Sequence, residues 1–234
     1  MPTPRPALAT VAAVAALLLV AGCTGSQTSG EDDTAALQEQ LSTAKTTIDE
    51  AETVLVDLST EQVPDGVSGL LSATGRGTHE PAFEGDVKVS TGGATLSADV
   101  VAIGERVWAK TSFAPTFLTI DPATLKAPNP AALLRVEGGI TEILEQTIDL
   151  AQGDRSRDGE TVLTAIEGTL PGDVVATILP SAPREATFDV VYRLSDDDEL
   201  VDATMSGPFY GDGSDVTYTV ELTTSDEPVE ITEP

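Results

Sequence analysis

The chain has 234 residues, a net charge of −27 from 12 Lys+Arg against 39 Asp+Glu, one cysteine and one histidine. Such a charge repels phosphate backbones and anionic leaflets, which argues against nucleic acid as a partner. A lone cysteine excludes an internal disulfide framework and a thiolate metal site. Hydrophobic residues make up 40%, enough for one packed domain, but aromatics only 4%; so few large rings either leave space for a ligand against a curved sheet or reflect the Ala-rich, aromatic-poor composition of a GC-rich genome.

At the N-terminus, Met1–Pro6 carries Arg5 and no acid, and Ala7–Ala21 is an uncharged run of fifteen residues. That is the length of a signal h-region and short of the ~20 residues that span a bilayer. Val20, Ala21 and Gly22 are the expected signal-peptidase recognition residues, small enough at Ala21 and Gly22 to fit its groove. Cys23 is the expected lipidation site: its thiol takes a diacylglyceryl group and its freed amine becomes the new N-terminus. The alternative is a plain secretory cut with Cys23 merely nearby. Lipidation places the chain from Cys23 to Pro234 at the extracytoplasmic face of the cell membrane, anchored to it by the acylated cysteine, where each buried methylene contributes about 0.8 kcal/mol.

Thr24–Asp33 has no apolar residue and is expected to be a flexible tether. From Thr34 onward, Leu37, Leu41, Ala44, Ile48, Ala51, Leu55 and Leu58 alternate steps of four and three, predicting a striped helix over about 34–60 that Pro64-Asp65-Gly66 stops. Phe83, Gly85, Val87 and Val89 then alternate with polar residues, and Thr91-Gly92-Gly93 predicts a hairpin turn into Leu96, Ala98 and Val100. Gly104-Glu105 turns into a strand over 107–111, and 117–121 is a further short strand. Connections this short require antiparallel pairing.

Leu133, Leu134, Val136, Ile140, Ile143, Leu144 and Ile148 have helical spacing over 131–150, broken at Gly138-Gly139. Asp158-Gly159 predicts a turn into a strand over 160–168, and Pro171–Leu179 a short helix that starts on proline and ends at Pro180. The last third predicts strands over 184–194, 199–206 and 215–224, the final one with Val216, Tyr218, Val220 and Leu222 on one face. A striped helix, antiparallel strands, central helices and more strands give an α+β domain, with helices on one face of a curved sheet.

Catalytic and cofactor signatures are lacking, so no catalytic residue, metal site or cofactor is assigned. His79 sits in a polar turn and is expected to be exposed, and no G-x-S-x-G elbow presents a serine to it. Gly75-Arg76-Gly77 lacks the third glycine and the helix of a dinucleotide loop. Asp196–Glu199 and Asp212–Asp215 lack calcium-loop spacing and are expected to be solvated turns. The 39 acids select no carboxylate pair for glycoside hydrolysis.

Several short motifs follow one another in order: Ala98-Asp99-Val100-Val101 before Trp108, Ile120-Asp121-Pro122, Asn129-Pro130, Asp158-Gly159, Ile166-Glu167-Gly168, the helix ended by Pro180, and Val229-Glu230-Ile231 near Pro234. Behind the cysteine motif, this order resembles the LppX/LprA/LprF/LprG family of actinobacterial lipoproteins, over 34–234. The resemblance implies a strongly curved antiparallel half-barrel, with helices covering its concave face and an apolar cavity between them. It also implies the binding of lipid or glycolipid acyl chains and their carriage across the cell envelope, with a membrane transporter as a candidate partner. On strand and helix parity, the candidate lining residues are Val87, Leu96, Val100, Leu134, Ile143, Leu144, Val190, Tyr192 and Tyr218. The expected domains are then a signal peptide over 1–22, a lipidated tether over 23–33 and a single lipid-binding domain over 34–234. A non-catalytic scaffold lipoprotein with a solid core is the alternative.

Overall fold

The computed structural model of the chain describes residues 28–61, 63–125, 127–211 and 214–234. Cys23, with Val20, Ala21 and Gly22 before it, lies outside them, as does Asp212.

Helix α1 runs Thr28–Asp49 and so includes 28–33 of the expected tether. It stops well short of residue 60, because Thr53–Ser59 is strand β1. Leu55 and Leu58 continue the helical spacing, yet Thr53-Val54-Leu55-Val56 is rich in β-branched residues and also alternates. The strand wins because β1 has partners on both sides: Val56 pairs with Gly75 and with Leu222.

The other strands are β2 (Gly69–Thr78), β3 (Ala82–Thr91), β4 (Ala94–Ile103), β5 (Arg106–Thr111), β6 (Leu118–Ile120), β7 (Ile148–Asp158), β8 (Thr161–Pro171), β9 (Thr187–Leu194), β10 (Leu200–Gly207) and β11 (Val216–Ser225). The β3–β4 hairpin turns on Gly92 and Gly93, both at positive φ, with Thr91 opposite Ala94. This is the two-residue geometry that glycine favours. The segment expected to be helical over 131–150 is shorter and more broken. It comprises α2 (Pro130–Leu133), a 3-10 turn over Ile140–Glu142 and α3 (Ile143–Gln146), after which Ile148 opens β7. Asn129 caps α2, accepting from the Ala131 N–H at 3.0 Å and donating to the Gly104 carbonyl at 2.8 Å. Helix α4 spans Gly172–Ile178 behind Pro171, as the sequence predicts.

All eleven strands form one antiparallel sheet in the order β6-β5-β4-β3-β2-β1-β11-β10-β9-β8-β7. Two meanders are joined by the β1–β11 pair, and the sheet stays open, with β6 and β7 as edges: a half-barrel. Glycines on the inner face help it curve. Gly75 and Gly85 face each other across β2 and β3, where an added Cβ on Gly85 would lie 2.7 Å from the Gly75 Cα.

The apolar stripe of α1, comprising Leu37, Leu41, Ala44 and Ile48, is buried against the inner face together with α3, while α4 packs on β8 and β9. On the outer face, the tail after β11 runs from β1 to β5. Thr53 Oγ1 donates to the Glu227 carbonyl at 2.7 Å, and Glu233 pairs with Arg106, whose guanidinium lies 5.1 Å from the Trp108 ring centroid.

Candidate functional site: the concave face

Side chains directly opposite in an antiparallel sheet share a face, so the register defines the concave surface. One row runs Ile120, Val107, Ala102, Phe83, Gly77, Val54. The next runs Leu118, Ala109, Val100, Gly85, Gly75, Val56, Leu222. A third runs Ala98, Val87, Ala73, Leu58, Val220, Ala203, Tyr192, Ile166. These rows hold no charged side chain, although the chain carries 51 charged residues (12 basic and 39 acidic).

The helices close one end of this surface. Phe83, Val100, Leu134, Ile143, Leu144, Val190 and Tyr192 are buried in one cluster with the stripe of α1. Away from the helices the surface is half-buried: Val56, Val87, Ala98, Ala109, Met205, Tyr218, Val220 and Leu222 pack against the cluster with part of each side chain accessible. The nine candidate lining residues therefore divide. Val100, Leu134, Ile143, Leu144, Val190 and Tyr192 are interior, Val87 and Tyr218 lie on the half-buried stretch, and Leu96 stands near the β3–β4 hairpin tip, outside the cluster.

Glycine gives this face room for bulk. A Cβ on Gly75 would meet the Phe83 Cζ at 2.6 Å, so the Phe83 ring takes the space beside it. The Leu134 side chain fills the space at Gly77, and Phe188 that at Gly207. The pair Gly75 and Gly77, which carries no dinucleotide signature, thus has a packing role that only the fold reveals.

Two tyrosine hydroxyls on the face are paired. The Thr147 hydroxyl donates to the Ile143 carbonyl at 2.7 Å and lies 2.8 Å from the Tyr192 hydroxyl, so Tyr192 donates to it. Tyr218 donates to the Leu70 carbonyl at 2.7 Å, and its oxygen is 2.6 Å from that of Tyr210. Burial pushes both Tyr192 and Tyr218 well above the ordinary tyrosine range, with the Tyr210 hydroxyl adding to the effect on Tyr218.

His79 is not the exposed turn residue its sequence neighbours suggest. It is half-buried, with Nδ1 2.6 Å from the Leu134 carbonyl and Nε2 2.8 Å from that of Ile48. With both nitrogens against carbonyl oxygens, this histidine is committed to structure and not poised as a general base. Among the described residues, no group of three or more His, Cys, Asp or Glu side chains is arranged to hold a metal. Asp196–Glu199 is the β9–β10 turn, where Asp198 has φ 60° and accepts from Gln40 at 2.6 Å.

A family model for the LppX_LprAFG lipoproteins matches residues 33–232. The chain belongs to that family. Its members of known structure include LprF from Mycobacterium bovis, superposing with TM-score 0.68 at 15% identity over 86% of this chain and 97% of that one. LppX from Mycobacterium tuberculosis superposes with TM-score 0.60 at 18% identity, over 85% of this chain and 99% of that one. At these identities the likeness is one of fold. A comparison with curated proteins finds no match. The open half-barrel is therefore the fold of this lipoprotein family. No described helix is long and apolar enough to cross a membrane.

Proposed function

We propose that this protein is a membrane-anchored lipid carrier that seats acyl chains on the concave face of its half-barrel. The observation that carries the reading is the stretch of half-buried aliphatic side chains, Val56, Val87, Ala98, Val220 and Leu222, continuous with the buried cluster and free of charge. Acyl chains need a dry surface, and each methylene moved out of water contributes about 0.8 kcal/mol. The headgroup stays at the edge of the half-barrel. Cys23 is the acylated residue in this reading, holding the domain at the extracytoplasmic face of the cell membrane, and the cargo is a lipid or glycolipid moving through the envelope.

The interior cluster is well packed, so loading requires the half-buried side chains to part, or α4 and the loops beside it to move. Native mass spectrometry of the chain purified from an actinobacterial host tests the reading. A stoichiometric mass addition of an acyl lipid is the expected result. An unmodified mass that persists after incubation with envelope lipid extract overturns it and leaves a scaffold with a solid core.

A further inference from the structure

We infer that the rim formed by the tip of the β3–β4 hairpin and the β5–β6 loop is where the protein touches a lipid bilayer, with Phe113 as the side chain that enters it. The inference rests on the carrier reading above.

The register places both segments together. Ala98 of β4 lies opposite Thr111 at the end of β5, so residues 112–117 leave the sheet at the end from which the Gly92-Gly93 tip projects. Both segments lack charge: residues 89–98 and 111–120 contain none, in a chain that is 22% charged. Among the described residues, the other connections at this end carry Glu61, Asp65, Asp173, Arg184, Glu185 and Asp215, so the charge-free loops are those of the β3–β6 side.

Phe113 is 87% exposed, the most exposed of the chain's large apolar side chains among the described residues. It is held out by a closed turn rather than left on a slack loop. The Thr111 N–H donates to the Ala114 carbonyl at 3.0 Å, and the Ala114 N–H returns to the Thr111 carbonyl at 3.2 Å and its hydroxyl at 3.1 Å. Phe117, at the far end of the same loop, is treated differently: it is half-buried, with the Lys110 ammonium 5.0 Å from its ring centroid. Leu118, 54% exposed, continues the apolar surface along edge strand β6 into the row of Ala109 and Val100.

A bilayer is the occupant that this arrangement fits. A chain of net charge −27 is repelled by an anionic leaflet, and an uncharged sector is where approach costs least. An acyl chain reaches the concave face without crossing water only if the edge of that face meets the bilayer. With the protein already tethered, weak contact suffices, because the tether supplies a high local concentration.

The test uses the full chain in vesicles of phosphatidylcholine, alone or with phosphatidylglycerol, and the variants Phe113→Trp and Phe113→Ser. The inference predicts that bromine-labelled acyl chains quench the tryptophan of Phe113→Trp well beyond the background from Trp108. It also predicts that Phe113→Ser slows loading of a pyrene-labelled phospholipid by about tenfold, the order expected from losing one buried phenyl ring, with the final amount bound unchanged. Quenching no greater than background, with Phe113→Ser loading at the parental rate, overturns the docking surface but leaves the carrier reading standing. Quenching without loading of any lipid by the parent protein supports the docking surface and contradicts the carrier reading.

Discussion

The Nε2 of His79 lies 2.8 Å from the carbonyl oxygen of Ile48, which joins the turn between β2 and β3 to the last turn of α1. Nδ1 faces the Leu134 carbonyl at the end of α2. Both oxygens are acceptors, and a ring nitrogen that carries hydrogen donates to the one it faces. Carbonyls at a helix C-terminus carry partial negative charge and favour a donor there. One side chain thus fixes two pieces of the helical layer to the sheet.

Replacing His79 with Ala removes both contacts and unties the Ile48 and Leu134 carbonyls from the β2–β3 turn. The expected cost is about 1–3 kcal/mol, read as a lower urea midpoint with an unchanged slope. A variant that unfolds at the parental midpoint would show that these bonds carry no weight.

The Gly75–Gly85 pair is expected to be intolerant of any side chain. An alanine at either position meets the Phe83 ring at under 3 Å and also meets the backbone of the neighbouring strand. A ring can rotate away, but paired backbone cannot. Each Gly→Ala change should cost about 1–3 kcal/mol in thermal or chemical unfolding. Alanine at Gly66, which is at positive φ in open space, carries only the backbone strain of about 1–2 kcal/mol and serves as the comparison.

Alkaline stability should depend on Tyr192 and Tyr218. Unfolded tyrosine loses its proton near pH 10, whereas burial holds both folded hydroxyls protonated well above that. Their contribution is therefore fully present below about pH 10 and is lost as pH rises through and beyond it, because the unfolded state then binds fewer protons. The slope approaches about 1.4 kcal/mol per pH unit for each tyrosine. Tyr192→Phe should lower stability at neutral pH by about 1 kcal/mol, through the lost bond to Thr147, and flatten the alkaline decline. Urea titrations at about pH 9 and about pH 11 check both signs.

Filling the half-buried stretch should exclude lipid without unfolding the protein. Ala98→Phe puts a ring beside Val87 on the concave face, where these residues pair. Displacing two methylenes of a bound chain, at about 0.8 kcal/mol each, weakens binding roughly tenfold. The measurement is lipid occupancy after extraction, with the thermal midpoint as control for folding.

Much of the fold was legible where local chemistry and tertiary structure agree. β3 and β4 alternate cleanly and meet at two glycines, and Asn129-Pro130 and Pro171 announce their helices. β1 misled because Leu55 and Leu58 extend the spacing of α1, although the strand turns Leu55 to the outer face at 44% exposure. β2 offers glycine and serine in place of alternation. β7 is an edge strand with register shifts at two places and little buried surface, so no periodic signal survives in it. The partners of His79 lie 31 and 55 residues away in sequence, and no local pattern encodes such contacts. For the site, strand and helix parity found residues on the concave face but could not separate Val190 and Tyr192, sealed in the cluster, from Val87 and Tyr218 on its accessible part. That distinction depends on where the helices end.

The most direct test of the account is photo-crosslinking with a diazirine-bearing fatty acyl phospholipid, followed by peptide mapping. Label concentrated on β1, β3, β4 and β11 at Val56, Val87, Ala98, Val220 and Leu222, and displaced by unlabelled lipid, is the predicted result. Label confined to the outer face, in the hollow of about 480 Å³ beside Leu55, Val101 and Phe117, or label that excess lipid does not displace, would contradict it.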